Sequence, residues 1–113
     1  MSINPSDGLS PEEIEKLQEI YRKTLPERLR AIKEAIVAVE QNASAESADA
    51  LRFLVHKLAG NAGSFGYMEV SRISKELEKE LIQLIDQSAF DRIDPKRLSL
   101  YFETIKNEFD LHE

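Results

Sequence analysis

At 113 residues the chain is long enough for one domain with a single modest core. Its 42% apolar and 32% charged residues are those of an ordinary soluble globule, and a net charge of −6 argues against a nucleic-acid binder, which would show a basic face. Cys is absent, which removes disulfide frameworks and thiolate metal sites and fits a reducing compartment. No apolar run approaches the ~18 residues of a membrane span, and the start MSINPSDG lacks the apolar core of a signal peptide. The cytoplasm is therefore the expected location, with no membrane or nucleic-acid partner.

Residues 1–9 and the last two or three are expected to be frayed, leaving a single domain over residues 10–113. Ser10-Pro11-Glu12-Glu13 supplies an N-cap, a proline at the first helical position and a Glu at the third. A short first helix follows, with Ile14, Leu17, Ile20 and Tyr21 on one side. Leu25-Pro26 is predicted to interrupt it, because the residue before proline disfavours helical backbone. A second helix then runs from about Pro26 to Gln41 on the stripe Leu29, Ile32, Ile36 and Val39. Asn42 to Ser47 is a polar connector in which Ser44 or Ser47 caps the next helix.

The third helix carries the chemistry. Leu51, Leu54, Val55, Leu58, Ala62 and Phe65 fall within an arc of ~100° on a helical wheel. His56 lies ~150° from the middle of that arc and is predicted to face solvent. Gly60 and Gly63 share its face at i+4 and i+7, and Ala59 borders it. Each helical glycine costs roughly 0.8–1 kcal/mol relative to alanine, so a bare strip beside a lone imidazole suggests close approach of a partner. The alternative for the glycines is close packing of one helix on another. Phe53, also ~150° from the core arc, either packs under the first helix or belongs to an exposed docking patch. Gly66 is a natural helix stop. A fourth helix, about Met68 to Asp86, buries Val70, Ile73, Leu77, Leu81 and Leu84, and Asp94-Pro95 opens a last helix carrying Leu98, Phe102, Ile105 and Phe109.

No segment shows a strand's period of two. The expected fold is all-α: an antiparallel up-down-up-down four-helix bundle with an additional short N-terminal helix. The Met start and capped ends favour a free-standing protein over a piece of a larger kinase.

A solvent-facing imidazole is a nucleophile suited to covalent intermediates. Phosphoryl transfer needs a neutral ring nitrogen, an in-line approach and stabilised equatorial oxygens. The chain has no Gly-rich phosphate loop and no acidic triad near His56, and His56 and His112 offer no recognisable metal geometry. The histidine hairpin of a sensor kinase fits poorly, because Lys57 stands where that motif has an acidic residue and no ATP-binding domain is present. His112, near the end, is expected to be inert.

The run His56-Lys57-Leu58-Ala59-Gly60, with Gly66, Leu77 and Glu78 after it, resembles a histidine-containing phosphotransfer (HPt) domain. The resemblance covers about Pro26 to Phe109. It implies a carrier rather than a self-sufficient enzyme: a monomer that takes a phosphoryl group on His56 from a receiver-domain aspartyl phosphate and passes it to another receiver. The partners implied are receiver domains of response regulators or a hybrid sensor histidine kinase, and the partner would bring Mg²⁺, the chain having no cofactor of its own. By similarity His56 is the phosphorylated residue, through Nε2, and Glu78 accepts a hydrogen bond from Nδ1–H, fixing the tautomer. The bland alternative for Glu78 is a solvated charge pairing with Lys75 or Lys79. Phe53, Ala59, Gly60 and Gly63 would form the docking strip, and Gly66 the structural cap. The family's usual lysine three residues after the histidine is replaced by Ala59, which leaves Arg52 and Lys57 as candidate cations for the phosphoryl group. The alternative function is a docking or inhibitory module of the same shape that performs no transfer.

Overall fold

The computed structural model describes residues 8–110. The expectations for frayed ends at residues 1–7 and 111–113, and for His112, lie outside the described residues. Four helices account for most of the chain: α1 (Pro11–Gln41), α2 (Ala45–Ser64), α3 (Met68–Asp86) and α4 (Pro95–Asp110), with a 3₁₀ turn at Phe90–Arg92 ahead of α4. No strand occurs among the described residues, and no helix there is long and apolar enough to cross a membrane.

Local chemistry sets the helix ends. Ser10 and Glu13 form a reciprocal capping box at the start of α1, and Ser44 and Ser47 form another at the start of α2. Asp94 Oδ1 accepts from the Lys96 backbone N–H ahead of α4. At the end of α2, Tyr67 N–H donates to Ala62 O and Gly66 N–H to Gly63 O, a Schellman arrangement that requires the left-handed backbone of Gly66 at φ +89. The same pattern closes α3, but there Ser88 takes the left-handed position at φ 50.

One expectation is corrected. The predicted short N-terminal helix is absent as a separate element, because α1 runs unbroken for 31 residues through Pro26. A proline inside a helix costs about 3 kcal/mol through a lost N–H donor and a clash with the preceding turn. Tyr21 and Leu25 on one side of it, and Ile32 and Ile36 on the other, are all buried in the same core. Each is worth about 1.5–3 kcal/mol on burial, so keeping both halves in line outweighs the proline. Ile20, expected on the buried side with Tyr21, is exposed instead.

Contacts across the helices define an antiparallel bundle. Gln18, early in α1, donates to Phe65 O at the end of α2. Ser71, early in α3, donates to Ala59 O late in α2. Arg97 of α4 reaches back to Glu80 of α3, while Tyr21 of α1 meets Phe109 at the far end of α4. The core runs the length of this bundle, through Ile32, Ile36, Leu51, Val55, Leu58, Leu77, Leu81 and Ile105.

Candidate functional site

The site is built on the seam between α2 and α3. Small residues face each other there: Ala59, Ala62 and Gly63 on α2, Ser71 and Ser74 on α3. Ala59, Ala62, Ser71 and Ser74 are all buried. A Cβ placed on Gly63 would stand 3.1 Å from Ser71 Oγ, and that hydroxyl donates to the Ala59 carbonyl at 2.8 Å. The two backbones can approach closely only because so little side chain lies between them.

That close approach positions the chemistry. His56 precedes Gly63 by two helical turns, and Glu78 follows Ser71 by two turns. In an antiparallel pair, the register that sets Gly63 against Ser71 therefore sets His56 against Glu78. His56 Nδ1 lies 2.7 Å from Glu78 Oε2. An ionised carboxylate can only accept, so Nδ1 donates to it, and in the neutral ring that leaves the lone pair on Nε2. The His56 side chain is 64% exposed, whereas that of Glu78 is only 16% exposed. The carboxylate is thus held in the seam while the ring stands outside it.

Arg52 lies one turn before His56 on α2. Its Nε donates to Asp49 Oδ1 at 2.8 Å, and its Nη1 is 4.0 Å from the same Glu78 Oε2 that receives the imidazole. Lys57 turns the other way, with its ammonium 5.5 Å from the centroid of the Phe53 ring. Phe53 itself is 52% exposed.

The bare strip is narrower than expected. Gly60 opens to free space, with nothing within 4 Å of a Cβ built there. Ala59, however, is only 3% exposed, and Gly63 faces Ser71 of α3. Ala59 is thus covered, while Gly63 stays half-buried with its inner side packed on α3. Gly66 sits beyond the strip, at the turn into α3. Two further residues, Asp49 and Ser71, escaped sequence reasoning. Asp49 carried a signal, lying three residues before Arg52 on the same helical face. Ser71 carried none until the pairing register was known.

Among the described residues no group of three or more His, Cys, Asp or Glu side chains is gathered closely enough to hold a metal ion. The arrangement instead presents one exposed nucleophilic nitrogen, its tautomer fixed by a carboxylate and its near surface cleared at Gly60.

Comparison with known proteins points the same way. No curated protein and no solved structure gives a significant match. A family model described as Hpt domain matches residues 16–108, taking in most of α1 and all of the seam. Hpt domains carry out histidine phosphotransfer in two-component phosphorelays and interact with receiver domains of response regulators or with kinases. With an outward histidine on the second of four bundled helices and a family match over most of its length, the chain belongs to the Hpt domain family.

Proposed function

We propose that His56 is the phosphorylated residue, taking a phosphoryl group from the aspartyl phosphate of one receiver domain and passing it to the aspartate of another. The observation that carries this reading is the hydrogen bond of 2.7 Å between Nδ1 of an exposed ring and the Glu78 carboxylate. The lone pair of Nε2 attacks phosphorus, the bond from phosphorus to the aspartyl oxygen breaks, and the carboxylate leaves with that electron pair. Nδ1 keeps its proton, so the phosphorylated ring is cationic. Glu78 faces that positive charge, and a charge-assisted hydrogen bond of this kind is worth about 1.5–3 kcal/mol. The return step runs in reverse, with a receiver carboxylate attacking phosphorus and Nε2 leaving. The chain acts as a carrier, and Mg²⁺ belongs to the receiver side of the complex.

The docking face comprises Phe53 and Gly60, with Ala59 and Gly63 contributing through the packing beneath. Ala59 stands where the family usually has a lysine, which leaves Arg52 and Lys57 as the cations nearest in sequence. Lys57 rests over Phe53 and Arg52 is held by carboxylates, so neither is idle.

Incubation with a receiver carrying radiolabelled phosphate on its aspartate tests the reading. The expected product is an alkali-stable, acid-labile phosphoramidate on His56, absent in His56→Gln. Glu78→Ala should accept label about tenfold more slowly, the kinetic equivalent of losing that hydrogen bond. Equal labelling of His56→Gln would overturn the assignment, and a protein that binds the receiver without acquiring label would be a docking module.

A further inference from the structure

The Glu78 carboxylate has a second neighbour besides the imidazole. Arg52 Nη1 stands 4.0 Å from Glu78 Oε2, the oxygen that also receives His56 Nδ1. Arg52 is itself tied down, because Nε donates to Asp49 Oδ1 at 2.8 Å and its side chain is only 28% exposed. Along the seam the groups alternate in sign: Asp49, Arg52, Glu78, and then a ring that becomes cationic on phosphorylation. Glu78 is unbranched and rotates freely about its side-chain bonds unless something holds it. The ring cannot be that anchor alone, since the carboxylate is what must orient the ring.

Resting on the phosphotransfer reading above, the geometry points to Arg52 as a positioning residue: braced against Asp49, it holds the Glu78 carboxylate so that Oε2 stays on His56 Nδ1. Its guanidinium serves the carboxylate rather than the transferred phosphoryl group. Two carboxylates already lie within ion-pair reach, and turning toward a phosphoryl group on Nε2 would mean giving them up. At 4.0 Å Arg52 acts on Glu78 by charge, not by a direct hydrogen bond. A lysine at the same position would therefore retain part of the effect, whereas an isosteric apolar chain would not.

The test reads the ring directly. Nitrogen-15 spectra of the unphosphorylated full chain, with the His56 signals assigned by their loss in His56→Gln, report which ring nitrogen carries the proton. The wild type should show the Nδ1–H tautomer in excess. Arg52→Met should shift His56 toward the Nε2–H form, and Arg52→Lys should restore most of the excess. In transfer assays, Arg52→Met should slow phosphorylation by up to about tenfold, no more than loss of the Glu78 hydrogen bond itself. The receiver concentration for half-maximal rate should stay unchanged. Arg52→Met combined with Glu78→Ala should be no slower than Glu78→Ala alone. A wild-type tautomer in Arg52→Met, or additive losses in the double variant, would each overturn the proposal. Because the spectra need no phosphate, failure of His56 to label would count against the phosphotransfer reading separately.

Discussion

Gly60 and Gly63 share one side of α2 in a helical projection, yet they meet different surroundings. A side chain at Gly60 enters open space, while one at Gly63 meets Ser71 across the seam. Gly60→Ala should raise stability by about 0.8–1 kcal/mol, the helix-propensity difference, and leave transfer intact. Gly60→Arg should keep the helical fold and block transfer, because the added bulk stands one turn from the reacting ring. Gly63→Leu should do the opposite kind of damage. Wedging α2 from α3 costs about 1–3 kcal/mol of overpacking and pulls Glu78 away from His56, so stability and transfer fall together. Urea denaturation beside a labelling assay separates the cases. If Gly60→Arg unfolds, or Gly63→Leu matches wild type in both assays, the assignment of the two surfaces is wrong.

At the scale of the helices, the strong period of Leu51, Val55 and Leu58 makes the outward side of α2 legible in the sequence. The α3-facing side was not readable in the same way. Ala59, Ser71 and Ser74 carry almost no hydropathy contrast, and their burial follows from how closely two helices approach. That closeness is a property of the pair, invisible in either strand of sequence. Pro26 misled for a related reason. The bias of a pre-proline residue is local, whereas the burial of Tyr21 and Leu25 depends on α2, α3 and α4 being in place. Pro26→Ala should therefore stabilise the bundle by about 2–2.5 kcal/mol, the gain in the helix being offset in part by a freer unfolded chain. A rise in the urea midpoint at constant slope checks it. An unchanged or lowered midpoint would mean that the bundle requires the shape proline imposes on α1.

For the molecule as a whole, Tyr21 ties the ends together. Its ring stacks on Phe65 at 4.6 Å, leans on Tyr67 at 5.9 Å and approaches Phe109 at 6.5 Å, joining α1 to the α2–α3 turn and the end of α4. The Tyr21 hydroxyl is buried and finds no partner among the described residues. Burial pushes its pKa up from the ordinary 10.0 to about 12, opposed in part by Arg28, whose guanidinium lies 5.2 Å from the ring centroid. The sign of the consequence follows directly. The unfolded chain releases this proton near pH 10 while the folded one holds it, so stability is complete below that pH and is lost as pH rises toward about 12. The loss amounts to about 2–3 kcal/mol at 1.36 kcal/mol per pH unit. Tyr101 adds to the loss in the same direction, its pKa being raised chiefly by partial burial and then by the charge of Glu80. Tyr21→Phe keeps the stack and discards the stranded hydroxyl, so at pH 7 it should be as stable as wild type or slightly more so. Between pH 10 and 12 it should lose less stability than wild type, and the difference between the two proteins isolates the contribution of Tyr21. Equal slopes of stability against pH in the two proteins would show that Tyr21 is ionised as easily in the bundle as outside it.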